Sequence, residues 1–164
     1  MNEIERLEEQ LRLSFEGEAW HGPAVAEALA GVGPELAAAH PIEGAHGIWE
    51  LALHLAATYR LVLRRLAGDA SPLTAAEDWP AVPPATAENW QRAVDGLARL
   101  SQDLRRAVRA FPPERLDAPL VASPAYTAYT QFIGVTQHDL YHAGQIVLLK
   151  RAAGVGGAPP GNGA

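Results

Sequence analysis

Four long segments of the chain carry apolar residues at alternating spacings of three and four, and this period most constrains the fold. The clearest set is Ile48, Leu51, Leu55, Thr58 and Val62. Such spacing places side chains on one face of an α-helix. No segment shows the strict alternation typical of a half-buried strand. The sequence therefore predicts an all-α protein.

Capping residues, glycines and prolines set the predicted helix ends. Asn2 and Glu5 have the form of a capping box, and Thr86 precedes the third helix as a cap. Ser123 followed by Pro124 has the form of a cap with proline in the first turn of the fourth helix. The predicted helices span 3–29 with a break near 17–22 and a restart at Pro23, then 46–67, 87–111 and 124–152.

The connection between the second and third helices, residues 68–85, is long and contains four prolines. Thr74 and Glu77 could cap a single helical turn within it. A connection of this length permits the chain to cross the bundle. The four tryptophans are expected as anchors in the core or beneath this connection: Trp20, Trp49, Trp79 and Trp90.

Length and composition predict one soluble domain. A chain of 164 residues can bury one core, which we assign to residues 1–152, and the Gly- and Pro-rich residues 153–164 are expected to form a flexible tail. No apolar run reaches the roughly 18 residues of a membrane span. The acidic N-terminus lacks the features of a secretory signal, so we expect a cytoplasmic protein without membrane contact.

Charge and cysteine content narrow the chemistry. The formal net charge of -6 argues against nucleic-acid binding. Arg105, Arg106 and Arg109 are interpreted as the solvated face of a helix. The absence of cysteine excludes thiolate metal ligands and a cysteine nucleophile in this chain.

Three histidines on predicted apolar helix faces are the main functional candidates. His138 and His142 are four residues apart, so both rings can reach one ion. His54 lies on the inward face of the second helix. A divalent metal would satisfy all three buried imidazoles and leave a coordination position open, as in catalytic zinc sites. The alternative is that hydrogen bonds in the core satisfy the histidines.

Four further residues are candidates for outer hydrogen bonds or for a pocket beside this site: Glu50, Tyr141, Gln145 and His46. Gln145 shares the face of His138 and His142 and could orient a ligand. Glu50 could accept a hydrogen bond from an imidazole or be exposed to solvent. Tyr141 could line a pocket, although packing in the core is expected. His46 and His21 lie near predicted helix starts and are interpreted as structural.

Three separated segments carry a resemblance to a known family. "WHGPAV" (20–25), "HGIWELALHL" (46–55) and "HDLYHAGQI" (138–146) resemble the DinB/YfiT-like superfamily of metal-dependent proteins. The resemblance covers nearly all of residues 1–152. It implies a four-helix bundle in an up-down-down-up arrangement, with a long crossover between helices two and three. It also implies a metal held by His54, His138 and His142.

The resemblance further implies a metal-dependent S-transferase that uses a low-molecular-weight thiol such as bacillithiol, mycothiol or glutathione. The three histidines would then be ligands of one divalent ion, zinc or nickel, and not acid-base catalysts. A homodimer is expected. The alternatives are a hydrolase using the same site and a non-enzymatic, stress-associated metal-binding bundle. An enzyme requires a reachable metal with a neighbouring pocket, whereas a structural site would be closed.

Overall fold

The computed structural model describes residues 1–20 and 22–155. These residues form helices and loops without a β-strand, and one isolated antiparallel bridge joins Pro119 and Thr127. The all-α prediction is therefore confirmed. The α-helices of the described residues are α1 (Glu3–Glu16), α2 (Val25–Leu29), α3 (Pro34–Ala38), α4 (Ile48–Leu66), α5 (Ala75–Asp78), α6 (Ala87–Arg109) and α7 (Ala128–Ala152), and a 3₁₀ turn spans Pro113–Arg115.

Three of the predicted caps are present. The Asn2 side chain accepts from the Glu5 amide at 2.9 Å, and the Glu5 carboxylate accepts from the Asn2 amide at 2.8 Å. Thr86 caps α6, and Thr74 caps the single turn of α5 together with the Glu77 carboxylate. These side chains satisfy amide groups that have no partner within their own helix. Among the helices described, none has the length and hydropathy that a membrane span requires.

Two predicted helix starts are wrong. α7 begins at Ala128 because the Thr127 hydroxyl accepts from the Thr130 amide at 3.1 Å, so Ser123 is not the cap. Thr127 instead forms the isolated bridge with Pro119, and the Ala128 amide donates to the Ala118 carbonyl at 2.9 Å. The restart at Pro23 is also wrong. The Glu27 carboxylate accepts from the Ala24 amide at 2.8 Å, so Ala24 is the cap and α2 begins at Val25, two residues after Pro23.

The core is formed mainly by the four long helices, α1, α4, α6 and α7. Their most extensive contacts join α4 to α6, α1 to α7, α1 to α6 and α4 to α7. Trp49 is fully buried, and the Trp90 indole donates to the Val32 carbonyl at 2.7 Å. Trp20 does not anchor the core: it is 96% exposed, because it lies in the loop after α1, outside the apolar stripe of that helix.

The arginines of α6 bind α1. Arg105 donates to one oxygen of the nearly buried Glu8 at 2.7 Å, and Arg109 lies 2.7 Å from the other oxygen. Glu16 also pairs with Arg105. Burial raises the pKa of Glu8, but hydrogen bonds and charge from the two arginines outweigh it and lower the pKa below its ordinary value. The interpretation of this cluster as a solvated face is therefore wrong for Arg105, whose side chain is only 16% exposed.

Asp139 of α7 is buried in the middle of the core. It accepts from the Tyr59 hydroxyl at 2.8 Å, and its second oxygen lies 2.9 Å from the Ser14 hydroxyl. Burial raises the pKa of Asp139 to about 7, although the hydrogen bonds from Tyr59 and Ser14 act in the opposite direction. The Ser14 hydroxyl has a single proton, which it can donate either to Asp139 or to the Leu11 carbonyl, but not to both. A protonated Asp139 can therefore donate to Ser14 while Ser14 donates to Leu11.

We expect Asp139 to make stability depend on pH. Because its pKa in the folded protein lies above that of an unfolded aspartate, its stabilising contribution is complete below about pH 4 and is lost as pH rises through about 7. The loss is at most about 4 kcal/mol. Asp139→Asn keeps a donor and an acceptor without a charge, so this component should vanish. Urea unfolding of metal-free protein at pH 5 and pH 8 measures it.

The exposed Asp95→Asn variant is the control and should keep the native pH dependence. An unchanged dependence in Asp139→Asn would contradict the assignment of the buried proton to Asp139.

Candidate metal centre

Three imidazole rings meet between α4 and α7. The Nε2 atom of His138 lies 3.0 Å from Nε2 of His54 and 3.0 Å from Nε2 of His142. His54 comes from the middle of α4, and the other two are one helical turn apart on α7. One ring nitrogen from each histidine lies within 4.8 Å of the other two. Helical spacing thus places His138 and His142 side by side, and the packing of α4 on α7 brings His54 to them.

The opposite nitrogens of two rings face oxygen atoms. His54 Nδ1 lies 3.0 Å from a carboxylate oxygen of Asp78 and 3.1 Å from the Asp78 carbonyl oxygen. His142 Nδ1 lies 2.6 Å from the side-chain oxygen of Gln145. An oxygen acceptor requires a proton on Nδ1, so the neutral rings of His54 and His142 direct Nε2 lone pairs toward His138.

Hydrogen bonds alone leave this group of nitrogens incompletely satisfied. A proton on His138 Nε2 can be donated to His54 or to His142, so one lone pair keeps no proton donor. The Nδ1 atom of His138 is buried without a hydrogen-bond partner among the described residues. A cation would accept all three lone pairs at once. Zn–N bonds of about 2.0–2.1 Å place nitrogens roughly 3.3 Å apart in a tetrahedral site, close to the spacing found here. The donor set therefore fits a divalent metal.

Burial keeps the imidazoles of His138 and His142 neutral. It lowers the pKa of His138 to about 3, and the neighbouring His142 and His54 contribute in the same direction. Burial also lowers the pKa of His142, against the opposing hydrogen bond to Gln145. Metal ligation requires neutral imidazole, so His138 and His142 need release no proton at pH 7 to bind an ion.

The connection between α4 and α6 supplies two contacts to His54. Trp79 stacks on the His54 ring with centroids 4.0 Å apart and planes 2° apart. Its indole also stacks on His46 at 3.7 Å. Glu77 pairs with Arg64 at 2.9 Å and thereby fastens α5 to α4. The connection is thus folded back over the site.

Asp78 was missed by sequence reasoning. Its contact with His54 joins residues 24 positions apart, and the helical period of α4 does not predict which residue of the separate helix α5 will reach His54. The capped turn at Thr74 and the proline-flanked Trp79 were the signals that this part of the connection is ordered.

Glu50 orients loop histidines and does not contact His54. Its carboxylate accepts from the Gly47 amide at 2.7 Å, and the same oxygen lies 3.0 Å from His40 Nε2 and 3.4 Å from His46 Nδ1. Burial raises the pKa of Glu50, but the hydrogen bonds from Gly47 and His40 and the charges of both histidines lower it overall. The Glu50 side chain is 29% exposed, so it is partly open to solvent while it contacts the two imidazoles.

A cleft of about 510 Å³ adjoins His142. Tyr141 is 65% exposed at this cleft, and its ring centroid lies 5.0 Å from that of His142. The expected packing of Tyr141 in the core is wrong because its position on α7 faces outward, beside the site. His21 lies outside the described residues. The cleft is lined by Ile42, Gly44, Ala45, His46, Leu51, Trp79, Tyr141, His142, Gln145, Leu148 and Leu149.

Comparison with known proteins identifies the family. A sequence model of the DinB superfamily matches residues 19–146, a span that includes all three histidines and the connection between α4 and α6. The chain therefore belongs to the DinB superfamily, as the three sequence segments indicated. No curated protein and no solved structure shows significant similarity to it.

We expect His138 to stay neutral in metal-free protein between pH 8 and pH 5, because burial lowers its pKa to about 3. Proton–nitrogen NMR correlation of the imidazoles, assigned with a His138→Gln variant, measures this directly. The same protein unfolded in urea is the reference, in which histidine titrates near about 6.5. Titration of folded His138 near that ordinary value would contradict the buried, neutral site.

Proposed function

We propose that this protein is a metal-dependent transferase that activates a low-molecular-weight thiol at the three-histidine site. One observation carries the proposal: three Nε2 atoms converge beside a cleft large enough for a small molecule. A purely structural metal site would be closed by a fourth protein ligand. The adjoining cleft therefore favours an enzyme over a metal-stabilised structural bundle.

His54, His138 and His142 would hold one divalent ion, zinc or nickel. Asp78 and Gln145 would orient two of these ligands through their Nδ1 protons, as outer partners do in histidine metal sites. A bound ion would supply Lewis acidity, lowering the pKa of a thiol or water at the open position.

His46, which lines the cleft, would take the proton that a thiol loses when it binds the metal at the edge of the cleft. Its Nδ1 is directed at the Glu50 carboxylate, which leaves Nε2 as the acceptor. Its ring stacks on Trp79, so its orientation is restrained from a second side. The same base would serve a water nucleophile, which is the hydrolase alternative. The two reactions differ in the nucleophile at the open position of the metal, which is a thiol in one and water in the other.

We also propose that residues 1–152 form one four-helix bundle in the up-down-down-up order. Contacts between helices support it. Trp49 near the start of α4 packs on Trp90 near the start of α6, as expected for parallel helices. His54 meets His142 while Arg65 meets Gln131, which supports opposite directions for α4 and α7.

The contacts of Arg109 with Glu8 and of Arg105 with Glu16 support opposite directions for α1 and α6. Connection 67–86 would then be the crossover. The homodimer, the cytoplasmic location and the stress association stay predictions.

Native, untagged protein should bind about one equivalent of zinc or nickel, measured by elemental analysis after dialysis. His54→Ala and His142→Ala should each lose most of it, because two imidazoles remain. His40→Ala is the matched control, since His40 contacts Glu50 and lies outside the three-histidine group. Absence of bound metal after loading of the native protein would contradict the proposal. Loaded protein is then tested with thiols and electrophiles, and hydrolysis without thiol would favour the hydrolase.

Asp78→Ala should weaken zinc affinity by about tenfold, the lower end of the range for outer partners. The loss is limited because the main-chain carbonyl of residue 78 still accepts from His54. Competition with a fluorescent chelator gives the dissociation constant. Asp69→Asn, in the same connection but paired with Ser71 and Arg64, should leave it unchanged. Equal affinities for Asp78→Ala and native protein would exclude an orienting role for Asp78.

A further inference from the structure

The cleft beside the histidines contains no fixed charge. Its eleven lining residues include no Asp, Glu, Lys or Arg. By contrast, 20% of the whole chain is charged. In metal-free protein, a charged ligand group taken from water into such a cleft finds no partner for its charge among the lining side chains, and burial of an unpaired charge is costly.

The lining gives an apolar surface with a few neutral polar groups. Leu51, Leu148 and Leu149 contribute aliphatic side chains, and Trp79 contributes an indole that is held against His54 and His46. The Tyr141 hydroxyl and the Gln145 amide can form hydrogen bonds without carrying charge. This combination suits an apolar body that bears an uncharged polar group.

We propose that the cleft binds the electrophilic substrate, and that this substrate is an uncharged, mainly apolar small molecule. The inference rests on the proposed function for its role as substrate. Thiols that carry carboxylates, such as glutathione, would then bring only their sulfur to the histidines, and their charged groups would stay outside the cleft. The side chains that give this selectivity are those of Leu148, Tyr141 and Trp79.

Two fluorescent probes of similar shape test the charge preference. N-phenyl-1-naphthylamine is uncharged, whereas 8-anilinonaphthalene-1-sulfonate adds a sulfonate to the same aromatic body. Titration of metal-free native protein should give one site that binds the uncharged probe at least about tenfold more tightly than the sulfonate. In zinc-loaded protein the preference should be smaller, because the cation beside the cleft attracts the sulfonate. Weaker binding of the uncharged probe by Trp79→Leu would locate that site at the cleft, which Trp79 lines.

A charge introduced at the rim should alter this preference. Leu148 is 56% exposed, so Leu148→Lys places an ammonium at the cleft without disturbing the core. This substitution should weaken binding of the uncharged probe and strengthen binding of the sulfonate, so that the ratio of the two affinities shifts by at least about fivefold. Tyr129→Lys is the matched control: it adds the same charge at an exposed position of α7, roughly 28 Å along the helix from residue 148.

Binding of the sulfonate probe by metal-free native protein that is as tight as, or tighter than, binding of the uncharged probe overturns the proposal. So does failure to bind the uncharged probe, or a ratio that Leu148→Lys and Tyr129→Lys shift equally. Metal-free protein is used alongside loaded protein so that the two proposals fail separately. If the protein prefers the uncharged probe but takes up no metal, the proposed metal chemistry is refuted and the proposed cleft selectivity is supported. If it takes up metal but shows no probe preference, the cleft selectivity is refuted and the metal site is supported.

Discussion

The packing of α7 against α4 is the constraint on which the rest of the structure depends. Polar side chains pair the two helices at three levels: Arg65 with Gln131, Tyr59 with Asp139, and His54 with His138. A shift of one helix by a turn would break all three pairs and leave buried polar groups without partners, each at a cost of about 1–3 kcal/mol. The same register that satisfies the core therefore brings the histidines together.

Burial has opposite consequences for two neighbouring residues of α7. It raises the pKa of Asp139, which favours a protonated acid, and it lowers the pKa of His138, which favours a neutral imidazole. Both effects remove charge from the interior. In Asp139 the result is a hydrogen-bonded tie to α1 and α4. In His138 the result is a neutral ring, and a neutral ring can offer its Nε2 lone pair to a metal ion together with those of His54 and His142.

Helical periodicity accounts for the part of the site that could be predicted from the sequence. It placed His138 and His142 on one face, and it placed His54 on the inward face of its own helix. Gln145 follows from the same rule, since it lies three residues after His142 and contacts that ring. The family resemblance supplied the expectation that the two faces meet, and the described contacts agree with it.

Contacts made by loops were outside the reach of this reasoning. Asp78 reaches His54 only because α5 is fastened to α4, and the stack of His46 on Trp79 joins two loops by tertiary packing. The prediction that Tyr141 packs in the core was wrong for a related reason. An aromatic residue is expected to be buried, but Tyr141 borders a cleft whose other wall is formed by loop residues. Local patterns specify which face a residue occupies, whereas the neighbour across that face depends on the whole fold.

The central claim is that one metal ion is bound by three imidazole nitrogens beside an uncharged cleft. Anomalous diffraction from a crystal of zinc-loaded protein, recorded on both sides of the zinc absorption edge, tests it most directly. The expected result is one strong peak within bonding distance of Nε2 of His54, His138 and His142, with no fourth protein ligand. A peak elsewhere, or a fourth side chain that closes the coordination sphere, would contradict the claim.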